Sequence, residues 1–341
     1  MASRRNHASA DPHPDPFAER QRVRTRRPLQ LLGGRFHFAS NSAELLRLVD
    51  WAYAGLPAHH LSTYSPHFNV RLVLNCADPR IWARKEPPEL THVGGAGFLG
   101  GVAGAASFVT LSPEQGGALV VIAREMLKSP YHARYELIEF AVFTLAARAQ
   151  QLMPLHAACV SLHDRGLLMM GASGAGKSTM ALHCLLRQLD FVAEDAVFVR
   201  ATGLLATGVA NFLHVCPETV RWLSKQQAGM IRASPSIRRR SGVRKFEVDL
   251  RHTVFRLAAL PPRIAAMVFL SPRAGGKALL RRLSAAEVRA RLAAAQPYAK
   301  RQPEWNLFAS NMKALGGYEL RRGRHPQEGA ERLHELLAAA E

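Results

Sequence analysis

A glycine-rich run near the middle of the chain satisfies every position of the phosphate-binding pattern G-x-x-x-x-G-K-[ST]. Its residues are Gly171, Ala172, Ser173, Gly174, Ala175, Gly176, Lys177 and Ser178. Glycines let backbone N–H groups turn toward phosphate oxygens, the lysine reaches the β- and γ-phosphates, and the hydroxyl holds Mg²⁺. The run therefore predicts a nucleoside triphosphate as ligand. Its alternative is a glycine-rich turn that binds nothing.

The segments on either side of this run are typical of a phosphate-binding loop. The short apolar stretch 166–170 predicts a strand, and residues 178–189 predict a helix with one apolar stripe. A loop between a strand and a helix presents its N–H groups at the helix N-terminus, where anions bind. We expect the apolar stripe to pack against a sheet.

Two adjacent acids follow the predicted helix. Glu194 and Asp195 lie 17 and 18 residues after Lys177, within the apolar segment 191–199, which predicts a strand. One carboxylate beside the phosphate loop can hold Mg²⁺ while the other accepts the proton of an attacking hydroxyl. The alternative is an exposed turn, which the apolar residues on both sides argue against.

A third candidate, His156, lies 15 residues before Gly171. A histidine in an apolar strand is more often a hydrogen-bonded core residue than a functional group. Here the segments 157–162 and 166–170 predict a hairpin, which would bring His156 back to the level of the phosphate loop.

Charge and composition limit the class of protein. The chain has 341 residues, 48% of them hydrophobic, and its 45 basic against 26 acidic residues give a net charge of +19, which predicts an anionic partner. No apolar stretch reaches the length of a membrane span and no signal peptide is recognisable, so we expect a cytoplasmic protein without a membrane partner. The four scattered cysteines predict reduced thiols rather than a zinc site or disulfides.

The chain divides by pattern into three parts. Residues 1–28 predict a disordered basic tail, 29–150 a smaller N-terminal α/β domain, and 151–341 the domain that carries the phosphate loop. In the second part we expect strands at 29–38, 70–74 and 118–122, and helices at 43–54 and 135–153. In the third we expect a helix at 217–227, a strand at 264–270 and a helix opened by a capping box at 284–287.

Two further patterns are weaker. Residues 95–100 match the dinucleotide pattern G-x-G-x-x-G, but no apolar strand precedes them, which favours a turning loop over a second nucleotide site. The basic run 238–245 predicts either a phosphate or peptide clamp or a solvated mobile loop. Arg244 and Lys245, next to a strand-like segment, are its best clamp candidates.

The order of these motifs resembles a known family. An L-H-A strand at His156, a hairpin, the run G-A-S-G-A-G-K-S-T and then V-A-E-D are similar to the catalytic domain of HPr serine kinase/phosphorylases and their HPr-kinase-related relatives. The resemblance covers residues 150–270 and implies an α/β P-loop core of the type found in phosphoenolpyruvate carboxykinases. It also implies transfer of the γ-phosphoryl group of ATP to a serine or threonine of a protein or peptide, and a homo-oligomer.

The resemblance assigns roles residue by residue. It puts the nucleotide site at Gly171 through Thr179, the family's upstream histidine at His156 and its acidic pair at Glu194 and Asp195. The loop, the histidine and the acids together predict Lys177 on the phosphates, Mg²⁺ on Ser178 and Asp195, and His156 as an assisting group near the γ-phosphate. Glu194 stands where the family usually has the aspartate that acts as general base, so Glu194 takes the hydroxyl proton, or Asp195 takes over.

Two other functions stay open. The positive charge also fits a nucleotide-regulated ATPase switch or a module that binds nucleic acid or protein, although diffuse charge disfavours nucleic acid. The glutamate at 194 also fits a nucleotide-binding scaffold without turnover.

Overall fold

The first part of the described chain forms a seven-stranded sheet. Burial alternates along its strands, as at Gly34–Ser40, where every second residue is buried. The structure is a computed structural model that describes residues 25–75, 87–275 and 279–339. The strands of this sheet are β1 Thr25–Leu31, β2 Gly34–Ser40, β3 His67–Asn75, β4 Leu90–Gly95, β5 Phe98–Ala103, β6 Ser107–Ser112 and β7 Gly117–Ala123. Their order is β1-β2-β3-β7-β6-β5-β4.

Helices cover one face of this first sheet. They are α1 Ala43–Tyr53, α2 Pro130–His132 and α3 Glu139–Ala149, with a 3₁₀ turn at Arg124–Lys128 and a π-helical turn at Ala133–Ile138 between α2 and α3. Leu45 and Val49 of α1 and Leu145 of α3 join Phe38 and Ile122 of the sheet in one buried cluster. We call residues 25–149 the N-terminal unit.

Twelve strands follow in the rest of the described chain. They are β8 Leu152–Leu155, β9 Ala158–Leu162, β10 Arg165–Met170, β11 Asp190–Glu194, β12 Val197–Arg200, β13 Leu205–Gly208, β14 Phe212–Val215, β15 Ser236–Arg238, β16 Arg244–Asp249, β17 Arg263–Ala274, β18 Leu280–Arg282 and β19 Tyr318–Arg322. Nine form a second sheet with the path β11-β9-β10-β17-β13-β12-β8, where β19 pairs with β17 and β18, and β14-β16-β15 form a third. We call residues 152–339 the C-terminal unit.

Helices lie on both faces of the second sheet. They are α4 Lys177–Leu186, α6 Ala285–Ala295, α7 Trp305–Leu315 and α8 Pro326–Ala338. Helix α5 Lys225–Arg232 contacts β16 of the third sheet instead, and 3₁₀ turns lie at Thr202–Leu204, Pro217–Trp222, Leu250–His252 and Ala299–Arg301. On β10, Leu167 and Met169 face α4 and α8, whereas Leu168 and Met170 face α6 and α7. A strand buried on both faces must be apolar throughout, as this one is.

The described residues therefore form a mixed α/β structure with three sheets and eight α-helices. The predicted strands at 70–74, 118–122 and 264–270, the first helix and the capping box of Ser284 with Glu287 are confirmed. The two large sheets share no strand pairing among the described residues. The domain boundaries themselves stay a prediction.

The prediction for the start of the chain is partly wrong. Residues 25–28, assigned to the tail, belong to β1, and the single strand predicted at 29–38 is a hairpin of β1 and β2. Leu32 and Gly33 turn the chain with φ of 50° and 83°. The remaining tail residues, 1–24, lie outside the described part.

Three longer elements are interrupted where the sequence predicts continuity. The helix predicted at 135–153 ends at Ala149, since Gln151 has φ 53° and β8 begins at once. The helix predicted at 217–227 is a 3₁₀ turn followed by α5, which a capping box at Ser224 starts afresh. The strand predicted at 191–199 is two strands, because Asp195 has φ 64° and breaks it.

The glycine patterns and the bulk expectations have clear outcomes. Residues 95–100 form the β4–β5 hairpin with Ala96 and Gly97 at its tip, so the expected tight turn is confirmed. Cys159, Cys184 and Cys216 are free, as expected, and Cys76 lies outside the described residues. Among the described residues, no helix combines the length and apolar character that a membrane span requires.

Gly208 permits a close approach that the site needs. A Cβ on this β13 residue would collide with the Cβ of Ala193 and would lie 3.2 Å from the Ala196 carbonyl oxygen, on either side of the acidic pair. We expect Gly208→Ala to lower the free energy of unfolding by about 1–3 kcal/mol through overpacking. Gly117→Ala is the control, because nothing lies within 4 Å of its Cβ position. Urea unfolding that gives equal losses for both variants would contradict this account.

Candidate active site

The phosphate-loop motif connects β10 to α4. Gly171, Gly174 and Gly176 have φ of 157°, 79° and 96°, and the last two lie in the left-handed region that favours glycine. Gly176 is the N-cap of α4, so the first-turn N–H groups of this helix point into the loop. Lys177 Nζ donates to the carbonyl oxygens of Gly171 and Ala172 at 2.9 and 3.2 Å. The loop thus has the shape and donors of an anion cradle.

Lys177 is only 6% exposed. Burial lowers its pKa, and Asp195 and Glu194 oppose that effect. A buried ammonium bonded to carbonyls of its own loop is a compact positive charge within reach of bound phosphate. Next to it, Thr179 Oγ1 lies 2.8 Å from Thr219 Oγ1, which ties the first turn of α4 to the 3₁₀ turn at 217–222.

The acidic pair lies directly against the phosphate loop. β11 pairs with β9, so its end lies beside the start of α4, and Ser178 Oγ donates to Glu194 Oε1. The Glu194 side chain is 1% exposed, which contradicts the alternative of an exposed turn. The left-handed backbone of Asp195 ends the strand, so the Asp195 carboxylate points in a different direction from that of Glu194. Two adjacent acids therefore occupy different environments.

Glu194 is surrounded by donors. Its Oε2 accepts from the backbone N–H of His214 at 2.8 Å, with the His214 Nδ1 at 3.6 Å. Lys245 Nζ lies 3.9 Å from Oε1. These contacts compensate the cost of burying a carboxylate and fix its orientation.

Asp195 is paired with an arginine that the sequence did not single out. Arg239, the residue that follows β15, donates to Asp195 Oδ2. Burial alone would raise the pKa of Asp195, but the charge and hydrogen bond of Arg239 outweigh it and lower the pKa. Asp195 is therefore ionised near neutral pH. Nothing in the sequence distinguishes Arg239 from its basic neighbours at 238 and 240.

The basic run 238–245 is the tip of the β15–β16 hairpin rather than a free loop. Of its two clamp candidates, Lys245 reaches Glu194, whereas Arg244 is exposed and pairs in register with Arg238. Arg240 donates to Glu136 and to the carbonyl oxygens of Pro87 and Pro88, which anchors the hairpin tip to the N-terminal unit.

His156 lies between β8 and β9 at the mouth of the site. Its backbone N–H donates to Gln296 Oε1 at 2.9 Å, and its carbonyl accepts from Gln296 Nε2 at 3.1 Å. The surrounding protein partly desolvates the imidazole, which lowers its pKa, and the charge of Lys177 lowers it further. Asp195 partly offsets both effects. His156 is therefore a neutral group beside both residues, as the predicted hairpin implied.

The N-terminal unit supplies one wall of the site. Tyr135 stacks on Tyr131 with ring centroids 5.4 Å apart. Burial and the nearby Asp195 carboxylate raise the pKa of Tyr135 to about 12. The sequence offered no signal for this tyrosine, because its position depends on how the two units pack.

The donor set fits a hard divalent cation. Ser178, Glu194 and Asp195 provide the oxygen atoms that Mg²⁺ prefers. Ligand atoms of Glu194, Asp195 and His214 lie within 4.8 Å of one another. His214 Nε2 is engaged with Glu247 at 3.3 Å, however, and imidazole suits softer metals. Of the oxygen donors, Ser178 and Glu194 are in direct contact and would hold Mg²⁺, whereas Asp195 is paired with Arg239.

Comparison with known proteins adds little to this geometry. No protein-family model matches the chain, and no curated protein matches its sequence. A solved structure, the HPr(Ser) kinase/phosphatase from Coxiella burnetii, matches with a TM-score of 0.28 and 13% identity over 54% of this chain and 87% of that chain. So low a TM-score carries no argument, and function has to be argued from the residues of this chain.

The helix that follows the phosphate loop contains a buried histidine. His183 is 3% exposed and packs edge-on against His325, the N-cap of α8, at 5.5 Å. Its Nε2 has no hydrogen-bond partner in the described part of the chain. Burial, helped by the nearby His325, lowers the pKa of His183 to about 4.

This histidine makes the fold sensitive to acid. When the pH falls from 7 to 5, His183 of the unfolded chain takes up a proton, whereas His183 of the folded protein stays neutral. The free energy of unfolding therefore falls by an amount on the order of 1 kcal/mol. His183→Leu should flatten this slope in urea unfolding at the two pH values. His252→Gln, at an exposed position, should keep it. An unchanged slope in His183→Leu would contradict the assignment.

Proposed function

We propose that the protein is an ATP- and Mg²⁺-dependent kinase that transfers the γ-phosphoryl group to a serine or threonine hydroxyl of a protein or peptide. The observation that carries the proposal is the contact between Ser178, in the first turn after the phosphate loop, and the buried Glu194 carboxylate. A hydroxyl and a carboxylate joined in this way, beside a lysine and helix N–H groups, are the parts that hold a triphosphate and its cation.

In this proposal the loop N–H groups and Lys177 bind the β- and γ-phosphates. Ser178 and Glu194 hold Mg²⁺, which when bound neutralises charge on those phosphates. Lys177 would exchange its bonds to Gly171 and Ala172 for phosphate oxygens. Because these groups are already fixed by burial, little reorganisation is needed when the nucleotide binds.

Asp195 is the better candidate for the proton acceptor. It is ionised, lies beside the neutral His156, and is bonded to Arg239, whereas Ser178 bonds Glu194. The acceptor hydroxyl would give its proton to Asp195 as its oxygen bonds to the γ-phosphorus and the bond to the β,γ-bridging oxygen breaks. This proposal exchanges the roles that the sequence resemblance gave to Glu194 and Asp195.

Arg239 has a place in this scheme. It forms an ion pair with Asp195, and bound phosphates would attract it away. Asp195 would then become available to the hydroxyl when the donor is in position. Tyr135 and His156 flank the approach to it.

The acidic pair provides the test. With [γ-³²P]ATP and a pooled library of serine and threonine peptides, we expect Asp195→Asn to reduce transfer by about 100-fold or more while ATP affinity stays within about twofold. Lys177→Ala should instead weaken ATP binding itself. Asp164→Asn, at the exposed turn of the β9–β10 hairpin, is the matched control.

Two outcomes would refute the proposal. One is the absence of ATP binding by the purified wild-type protein at millimolar Mg²⁺. The other is equal background transfer in the wild type, Glu194→Gln and Asp195→Asn, which would favour a nucleotide-binding scaffold without turnover.

A further inference from the structure

A buried arginine of the N-terminal unit forms ion pairs on both sides of the boundary between the units. Arg134 is 1% exposed, and its Nε lies 3.1 Å from Glu139 Oε1 in its own unit. Its Nη2 donates to Glu247 Oε1 of the C-terminal unit at 2.5 Å. Glu139 and Glu247 are 6% and 1% exposed. Charges this deeply buried must be paired, so each depends on the others.

The ion pairs continue to the candidate active site. β14 and β16 pair antiparallel with His214 directly opposite Glu247, and His214 Nε2 lies 3.3 Å from the same Oε1 that Arg134 contacts. The other side of His214 contacts Glu194 through its backbone N–H and Nδ1. A continuous chain of contacts, Arg134 to Glu247 to His214 to Glu194, therefore connects Arg134 to the carboxylate that bonds Ser178.

The contacts within this chain of residues favour the ionised form of Glu247. His214 lies between two carboxylates, with its Nε2 3.3 Å from Glu247 Oε1 and its Nδ1 3.6 Å from Glu194 Oε2. Burial would raise the pKa of Glu247, but His214 and Arg134 lower it. Arg134 is the fixed cation of the set, since an arginine stays protonated in proteins.

Aromatic rings hold Arg134 in place. Its guanidinium lies 4.4 Å from the ring centroid of Trp51 and 4.5 Å from that of Phe212, with Tyr131 at 5.7 Å. It projects from the π-helical turn Ala133–Ile138, a local widening of a helix that re-aims a side chain and often occurs at functional sites. Because rings of both units stack on Arg134, its guanidinium has a fixed place at the boundary and can hold groups of the C-terminal unit in position relative to the N-terminal unit.

We infer that Arg134 is a positioning residue for the proposed phosphoryl transfer, which it serves by holding Glu247 and His214 so that His214 fixes the Glu194 carboxylate next to Ser178. The inference rests on the proposed function. The N-terminal unit then completes the site for the Mg²⁺–ATP complex rather than only adjoining it. Without Arg134, Glu247 keeps His214 as its remaining partner, and His214 is drawn away from Glu194.

A second arginine at the same boundary provides the matched control. Arg251 donates to the carbonyl oxygens of Trp51 and Ala54 in the N-terminal unit and lies 5.3 Å from the ring centroid of the same Phe212. Its acidic partner is Asp249, on β16 like Glu247. Arg251 and Asp249 join the two units without contacting His214 or Glu194 in the described structure.

The experiment measures ATP binding by titration calorimetry with the full chain, in Mg²⁺ and in EDTA. The wild type should bind more tightly in Mg²⁺. We expect Arg134→Met to weaken this enhancement by about tenfold, while affinity in EDTA, set by the phosphate loop, changes less than about twofold. Glu247→Gln keeps the Arg134–Glu139 pair and should also weaken the Mg²⁺ enhancement of ATP binding. It provides the test if Arg134→Met does not fold. Arg251→Met and Asp249→Asn should keep the wild-type enhancement.

The outcomes separate the inference from the proposed function. A wild-type enhancement that persists in Arg134→Met and Glu247→Gln, or equal losses in the Arg251 and Asp249 variants, would overturn the positioning role and leave the kinase proposal intact. A wild type that does not bind ATP in either buffer, or binds it without a Mg²⁺ enhancement, would overturn the proposed function and the inference with it. Partial recovery of the enhancement in Arg134→Lys would support the role of the charge.

Discussion

The structure of the candidate site depends on one buried carboxylate. Glu194 lies at the end of β11, where the chain leaves the sheet through the left-handed Asp195, and it accepts a hydrogen bond from Ser178. A carboxylate with a side chain that is 1% exposed is stable only when donors surround it, and here they come from α4, β14 and β16. The phosphate loop, the third sheet and the second acid are all positioned around it.

The three sheets contribute to the site in different ways. The second sheet supplies the framework, since β10 leads into the phosphate loop and β9 aligns β11 beside it. The third sheet supplies cations, because the β15–β16 hairpin brings Arg239 to Asp195 and Lys245 to Glu194. The unit built on the first sheet contributes Tyr135 and Arg134 from the segment between its last strand and α3. Such a site requires the two units to be packed together.

Local signals in the sequence predicted the parts of this site that lie near one another along the chain. The phosphate loop and the hairpin that follows His156 each depend on a few adjacent residues, and the structure has both of them. Arg134 and Glu247 are 113 residues apart, and only the β14–β16 register brings His214 opposite Glu247. None of these three residues was singled out from the sequence. The strand break at Asp195 was missed because apolar residues continue on both sides of the acidic pair.

A crystal structure of the full chain with Mg²⁺ and a non-hydrolysable ATP analogue tests the central claim most directly. The account predicts phosphates in the loop 171–178 with Lys177 turned onto them, Mg²⁺ beside Ser178 and Glu194, and Asp195 facing the γ-phosphate without contacting the metal. A nucleotide bound elsewhere, or a loop in which Lys177 keeps its bonds to Gly171 and Ala172 at saturating nucleotide, would contradict it.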